Sequence, residues 1–419
     1  MGHIGTSAFA MTLPLPPDHF RCPPLDECDR EYFVNLANKA AFDCVRNAMT
    51  LQATPVLSVF KSDVTQRFAR MREGPDSVQP HLPATVANTQ IHATIEQIAD
   101  FFYLDTLPKA RTYAKTVGQI VLDRQTLYTL EARDTDSSLR YVGIDWLVIQ
   151  CPYIAVSNRD AVFLEIHDEL DFYDEVAKVH RRGFVRCLHS IEIDSCPPLK
   201  ASHGIIRSAF VRSGHIFIET DTPGLLNYYT VYVTLANGNI PRLSAMQRSQ
   251  CKRILSLEEH LCYDHVTTSM DNGEFVPVQR YESQATTKQC SRCTKKLHAL
   301  VKRKNCAKCG HVVCMDCCNK CKVVFQLAPR TIHMCHHCFC RGLDMKPLPQ
   351  TPAECGATLH FSRRHVAMAR YVKELTASQS ALPTAQVVDL ARGLADMKLA
   401  SLPTTTHIMD EDAFDRWYM

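Results

Sequence analysis

Eight cysteines in four Cys-x-x-Cys pairs are the residues of this chain whose types and spacing most clearly predict chemistry. Such a turn directs two thiolates to one side of a metal ion, and two turns complete the four sulfur ligands of a structural zinc site. The pairs are separated by twelve, four and seventeen residues. They predict two zinc ions, with the ligands Cys290, Cys293, Cys306, Cys309, Cys314, Cys317, Cys335 and Cys338.

The spacing alone does not decide which pairs share an ion, because tandem and interleaved arrangements both use four pairs. Cys318 and Cys321 follow closely in "CMDCCNKC" and are alternatives to Cys317. Cys317 is favoured because it keeps the two-residue spacing of a chelating turn. Cys340 has no predicted role.

The composition favours a metal over disulfides. Of the twenty cysteines, eleven lie between Cys290 and Cys340. The leading residues lack a basic segment followed by an apolar core, and no apolar run reaches the roughly 18 residues that span a bilayer. We therefore expect a cytoplasmic chain, where clustered cysteines bind metal. A net charge of +3 gives no global field that would favour nucleic acid.

The elements that must position these cysteines follow from hydrophobic periodicity. The segment "DECDREYFVNLANKAAFDCVRNAMTL" predicts an amphipathic helix, and β-rich runs separated by turn residues then predict a long antiparallel sheet. A second long helix is predicted in "PRLSAMQRSQCKRILSLEEHLC". The predicted fold class is therefore α+β. The predicted divisions are a disordered leader at 1–25, a domain at 26–265, a linker at 266–285, a finger at 286–342 and a flexible, partly helical tail at 343–419.

The segment 26–265 resembles a START domain, the helix-grip lipid-transfer module. The resemblance is carried by "YVGIDWLVIQCPYIAVSNRDAVFLEIHDE", by "GFVRCLHSIEIDSCPPLKASHGIIRSAFVRSGHIFIETDTPG" and by the closing helix. It implies a curved antiparallel sheet that grips a C-terminal helix and encloses a tunnel for one lipid of unknown identity. Arg159 and Asp160 are interpreted as the turn that opens a strand, so they are not assigned to ligand contact.

The cysteine module is similar to the FYVE zinc finger, a family of cross-brace fingers. The stretch "CAKCGHVVC" and the basic run before it carry this resemblance. It implies that the first and third pairs (Cys290, Cys293, Cys314, Cys317) share one ion. The second and fourth pairs (Cys306, Cys309, Cys335, Cys338) then share the other. A RING finger is the competitor, but it usually has about two residues between the fourth and fifth ligands.

The basic residues Lys302, Arg303 and Lys304 are the predicted membrane contacts. They occupy the place of the family motif that grips phosphatidylinositol 3-phosphate, but the two histidines and the trailing arginine of that motif are absent here. Charge alone attracts such a patch to an anionic or phosphoinositide-containing surface, by about 1 kcal/mol per charge. A simple solvated face is the alternative interpretation.

The sequence contains no catalytic motif, and a saturated set of eight thiolates leaves no open metal position for water. We therefore expect a non-enzymatic, membrane-associated protein that holds a lipid in its START-like domain and uses its finger for membrane or protein contact. A zinc-finger adaptor without lipid transfer is the main alternative, and a RING-like ubiquitin ligase is a weaker one. The FYVE resemblance implies peripheral association with endosomal membranes.

Overall fold

The β-rich segments of the first half of the chain pair into one large sheet. In the computed structural model, the described residues are 13–133, 139–153, 156–174, 177–238, 243–298, 300–325, 328–340 and 357–360. Those before residue 360 belong to one compact unit. The strand order is β1-β2-β3-β11-β10-β7-β6-β5-β4, and β8 and β17 also pair with β6. The strands are β1 Ser58–Lys61, β2 Phe68–Pro75, β3 Pro83–His92, β4 Val121–Glu131, β5 Tyr141–Ile149, β6 Arg159–Asp174, β7 Val179–Ser190, β8 Ile206–Arg207, β9 Ala209–Phe210, β10 Ser213–Glu219, β11 Leu225–Tyr232, β12 Thr234–Leu235, β13 Arg303–Asn305, β14 Val312–Cys314, β15 Cys318–Phe325, β16 Ala328–Cys335 and β17 Ala357–His360.

Seven helices accompany these strands in the described part of the chain. They are α1 Glu27–Thr50, α2 Ile95–Phe102, α3 Leu107–Thr116, α4 Lys200–His203, α5 Leu243–Lys252, α6 Ser256–Asp271 and α7 His336–Phe339. The long neighbouring strands of the sheet pair antiparallel, whereas β8 pairs parallel to β6. The prediction of an antiparallel sheet flanked by N-terminal and C-terminal helices is confirmed.

Helices cover both faces of the sheet. α1 begins where the Asp26 side chain accepts a hydrogen bond from the Asp29 backbone N–H, at 2.8 Å. It lies against β6, β7, β10 and β11. Consecutive strand residues point to opposite faces, and the thiol of Cys187 on β7 meets that of Cys44 on α1. The preceding residue, Arg186, therefore lies on the other face, which we call the inner face.

The inner face is covered by α2, α5 and the start of α6. α2 begins with a capping box in which Thr94 and Gln97 bond reciprocally. Phe102 at its end packs with Phe184 and Phe217 of the sheet, in one apolar cluster that also contains Leu257 of α6. Both faces of the sheet are buried. Alternate residues of a strand such as β10 therefore face two different buried layers, and neither set faces solvent.

The long second helix is broken and extended. The predicted helical pattern is observed as α5, a short 3₁₀ turn at Arg253–Leu255 and α6. α6 continues to Asp271, so the predicted boundary at 265 and the start of the predicted linker fall within a helix. Most of the predicted tail at 343–419 lies outside the described residues, as do its two predicted helices, whereas 357–360 forms β17 rather than part of a helix.

The N-terminal leader differs from its predicted disorder over residues 13–25. Leu15 and Phe20 are buried, and the Phe20 ring packs edge-on against Trp146 of β5 with centroids 4.9 Å apart. The Leu15 backbone N–H donates to Asp123 Oδ2 at 2.7 Å. The proline-rich composition was misleading because two apolar side chains are enough to anchor a segment with no regular structure of its own. Residues 1–12 lie outside the described part.

The helices of the described residues were compared with the length and hydrophobicity that a membrane span requires. Among the described residues, no helix combines the length and the apolar character needed to cross a bilayer.

Candidate functional site

The first cysteine group combines residues from two separate segments. The sulfur atoms of Cys290, Cys293, Cys314 and Cys317 all lie within 4.8 Å of one another. Cys290 opens a tight turn in which Thr294 N–H donates to the Cys290 carbonyl oxygen at 3.0 Å. The other two cysteines come from the end of β14 and the 3₁₀ turn after it.

Backbone donors prepare one of these thiols for metal binding. Cys290 Sγ accepts hydrogen bonds from Arg292 N–H at 3.5 Å and from Cys314 N–H at 3.3 Å. Burial raises the pKa of this thiol, but the backbone N–H groups directed at it outweigh burial and lower the pKa to about 7. The thiolate is the species that binds metal, so this environment favours the ligand form.

The second cysteine group is formed by Cys306, Cys309, Cys335 and Cys338, whose sulfur atoms also lie within 4.8 Å of one another. Its first turn is closed by Gly310, which donates its N–H to the Cys306 carbonyl oxygen at 2.8 Å. Gly310 has a φ of 76°, a backbone conformation that glycine adopts without strain. A Cβ there would also lie 3.3 Å from the Tyr281 ring.

The donor sets fit zinc. Sulfurs about 2.3 Å from a tetrahedral ion are separated by about 3.8 Å, and Cys293 Sγ lies 3.7 Å from Cys314 Sγ. The two groups are those that the FYVE resemblance implies, with Cys317 rather than Cys318 or Cys321 in the first. Cys318, Cys321 and Cys340 are instead buried in the apolar core of the finger. Each group could hold one metal ion.

The three predicted membrane-contact residues occupy different environments. Lys302 and Lys304 are exposed. The guanidinium of Arg303 instead donates to the carbonyl oxygens of Gln284, Thr287 and His298, at 3.1, 3.1 and 2.8 Å. Arg303 therefore holds neighbouring loops together, whereas Lys302, just before β13, and Lys304, within it, are exposed charges.

Sequence reasoning missed two further lysines on the finger. In the register of the β15–β16 hairpin, Lys320 lies opposite His333 and Lys322 lies opposite Thr331. Burial lowers the pKa of His333, and the charges of Lys304 and Lys320 lower it further. We call the side of the hairpin that carries Lys320 and Lys322 its basic side.

A second candidate site lies on the inner face of the sheet. Five polar side chains are completely or almost completely buried there, and two guanidiniums balance two carboxylates. They are Arg124, Asp145, Glu165, His167 and Arg186.

Glu165 is the centre of this inner cluster. Its Oε1 accepts from Arg186 Nε at 2.6 Å and lies 2.9 Å from His167 Nε2, while its Oε2 accepts from Arg124 at 2.8 Å. Burial would raise the pKa of Glu165, but Arg186 and Arg124 hold it well below its usual value. The carboxylate is therefore ionised and fully paired.

Two atoms of the inner cluster remain without a hydrogen-bond partner among the described residues. They are Asp145 Oδ2 and His167 Nδ1. Burial raises the pKa of Asp145 and lowers that of His167, because it disfavours the charged form of each group. Aromatic rings of Tyr103 and Tyr141 lie beside His167. A polar group of a bound molecule would satisfy these atoms, and the rings would contact its apolar part.

The sequence offered a weak signal for the inner cluster. Asp145 interrupts the otherwise apolar strand "YVGIDWLVI", and Glu165 follows the apolar run "AVFL". Asp160, which was predicted to lie in a turn, accepts a hydrogen bond from Trp146 Nε1 at 3.0 Å and pairs with Arg207 at 2.8 Å. Arg159 donates to backbone carbonyls, including that of Asn237 at 3.1 Å. These contacts give the two residues structural roles.

Comparison with solved structures finds StAR-related lipid transfer domains. Human StAR-related lipid transfer protein 5 is 15% identical, with a TM-score of 0.38, over 54% of this chain and 97% of that chain. Human STARD10 is 13% identical, with a TM-score of 0.35, over 60% and 86% of the two chains. The STAR-related lipid transfer protein of Xanthomonas axonopodis is 18% identical, with a TM-score of 0.31, over 49% and 97%. No family model and no curated protein sequence matches the chain.

Proposed function

We propose that this is a non-enzymatic lipid-binding protein that associates with membranes. The inner face of the sheet binds one lipid, and a two-zinc, FYVE-like finger provides contact with a membrane or a protein partner. The observation that carries the lipid assignment is the inner cluster, a buried set of charged and polar side chains in which two polar atoms have no hydrogen-bond partner among the described residues and aromatic rings lie beside His167.

The energetics of burial support a ligand at this place. A buried polar atom without a hydrogen bond costs about 1–3 kcal/mol, so Asp145 Oδ2 and His167 Nδ1 together are a substantial penalty unless something pairs with them. A lipid with a small polar group, such as a hydroxyl, would bond to these atoms. Its apolar part would contact the rings beside His167, those of Tyr103 and Tyr141.

Mass spectrometry of the purified full chain tests this assignment. We expect one class of lipid to co-purify, or to be taken up from vesicles, at close to one molecule per chain. The variant Asp145→Asn, which alters the unpaired atom and keeps the side-chain size, should reduce lipid occupancy. Lys200→Ala, an exposed change in α4, is the control and should not.

A folded chain that neither carries nor takes up lipid would contradict the lipid assignment and favour the adaptor function. Ubiquitin ligase activity is tested separately by autoubiquitination in vitro, for which we expect no product.

Zinc is the metal we propose for the two cysteine groups, because all eight donors are thiolates and structural zinc is commonly bound in this way. The ions would stabilise the finger and leave no coordination position for a substrate. Elemental analysis should give two zinc ions per chain. We further propose that the protein is cytoplasmic and peripheral on endosomal membranes, which subcellular fractionation with and without a salt wash would test.

A further inference from the structure

The two ends of α6 are held by different parts of the molecule. At its start, Leu257 belongs to the apolar cluster of the inner face. Glu258 pairs with Arg67 of the turn before β2, with Nε and Oε2 3.0 Å apart, and also accepts from the His92 backbone N–H at 3.1 Å. These contacts fix the first turns of the helix on the sheet.

The second half of α6 is buried by the finger. Cys262, Val266 and Ser269 are 2%, 0% and 1% exposed. Cys262 and Val266 belong to the same apolar cluster as the core residues of the finger and not to the cluster of the inner face. Of the finger elements, β15 and α7 contact this helix directly.

Particular side chains of both α6 and the finger form this contact. The Tyr263 ring of α6 meets the Phe339 ring of α7 edge-on, with centroids 5.1 Å apart. On the hairpin side opposite to the basic side, Cys321 and Met334 are fully buried in the shared cluster. Asn319 Nδ2 also donates to the Val64 carbonyl oxygen at 2.8 Å, which attaches the finger to the loop between β1 and β2.

A metal-binding turn itself makes polar contacts with the helix. Lys308 lies between Cys306 and Cys309, and its Nζ donates to Ser269 Oγ at 2.8 Å and to His265 Nε2 at 3.2 Å. The same Nζ pairs with Glu274, just beyond the helix, at 3.1 Å. The conformation of the second cysteine group is thus linked to the last turns of α6.

We infer that the metal-loaded finger is a clamp that keeps the second half of α6 folded, so that metal occupancy controls the order of this helix. A small metal-bound module loses its fold when the metal is removed. A helical segment of this length is marginal in water without tertiary packing. Loss of metal would therefore release 262–271 and leave the first turns on the sheet. This inference holds whether or not the inner face carries a lipid.

Hydrogen exchange measured by mass spectrometry on the full chain tests the clamp, with zinc added or removed by EDTA. We expect peptides that cover 262–271 to exchange at least about tenfold faster after chelation, since local opening sets exchange rates. Peptides of α1 should not change. Equal exchange of 262–271 in both states, with protection of the finger lost, would overturn the inference.

A variant on the helix separates clamping from the folding of the finger. Tyr263→Ala removes the ring that meets Phe339 but leaves every cysteine in place. We expect faster exchange of 262–271 in zinc, whereas Thr268→Ala, an exposed change in the same helix, should have no effect. Weaker zinc retention by Tyr263→Ala would be the reciprocal effect and would also support the clamp. Unchanged exchange in Tyr263→Ala would refute it.

Discussion

At the scale of single residues, the cysteine groups were the most predictable part of the molecule. A Cys-x-x-Cys turn is a local device, so its spacing alone identifies a ligand pair. Which pairs share an ion is a long-range property, and it was predicted only from the resemblance to the FYVE finger. The inner cluster was not predicted at all, because a charged residue in a strand such as Glu165 is normally interpreted as facing solvent.

Replacement of one thiol should remove one metal ion. We expect Cys306→Ser to lower the zinc content from two ions to one per chain by elemental analysis, since a thiolate ligand is lost from one group. Limited proteolysis should then cleave 303–340 more readily and leave α1 intact. Cys28→Ser, an exposed thiol in α1, is the control. Two ions retained in Cys306→Ser would show that this sulfur is not a ligand.

Histidines whose pKa is lowered in the folded state should make the fold less stable in mild acid. Burial, and next the charges of Arg212 and Lys39, lower the pKa of His189 from 6.5 to about 4. Between these values the unfolded chain binds a proton that the folded chain does not, so the free energy of unfolding falls as the pH decreases from about 6.5 to about 4.

Urea unfolding at pH 7 and pH 5 measures this loss. His189→Gln should show a smaller difference between the two pH values than the unmodified chain. Some difference should remain, because the pKa values of His167 and His215 are also lowered by burial. An identical pH dependence for both proteins would contradict the assignment.

At the scale of elements, periodicity located α1 well but not the end of α6. The helix continues through "YDHVTTSMD", whose polar composition resembles a linker because its buried residues contact the finger rather than the sheet. The proline-rich leader is a similar case. Leu15 and Phe20 are buried by residues that are distant in the sequence, such as Trp146, so the local sequence pattern does not reveal their burial.

The ion pair at the start of α6 should be costly to break. Glu258→Gln removes the carboxylate that pairs with the buried guanidinium of Arg67, and breaking a buried ion pair typically costs about 3–5 kcal/mol. Urea unfolding measures the loss. Glu169→Gln, which removes an exposed partner of Arg182, should cost only about 0–1 kcal/mol. Similar small losses for both variants would show that the Arg67 pair does not anchor the helix.

The N-terminal segment should contribute to stability through Phe20. Phe20→Ala removes a ring packed on Trp146, and truncation of a buried phenylalanine typically costs about 3–5 kcal/mol, with less expected at this peripheral site. Trp146 fluorescence should shift to longer wavelength as water reaches the indole. The exposed Tyr32→Ala in α1 is the control. An unchanged spectrum would mean that the segment does not cover Trp146 in solution.

At the scale of the whole molecule, the finger is part of the same compact unit as the sheet rather than a separate module on a linker. One side of the β15–β16 hairpin packs against α6, and the other side carries Lys320 and Lys322. Sequence could not reveal this division, because the residues that cover the inward side come from distant segments such as Val64 and Tyr263.

Membrane attraction should depend on the exposed lysines of the finger as a group. We expect Lys304→Glu combined with Lys320→Glu to weaken vesicle binding equally for different anionic lipids, because each exposed charge contributes about 1 kcal/mol without stereospecific contacts. Vesicle co-sedimentation at two salt concentrations measures this. Lys200→Glu in α4 is the control. A selective loss for one phosphoinositide would indicate a specific headgroup pocket instead.

The packing of one side of the β15–β16 hairpin against α6 has a geometric consequence. An anionic bilayer that binds Lys320 and Lys322 would lie on one side of the two-stranded hairpin, and α6 lies on its other side. Elements packed face to face are about 10 Å apart. Attachment to such a surface would thus set the orientation of the sheet and the finger, with the second half of α6 separated from the bilayer only by the hairpin.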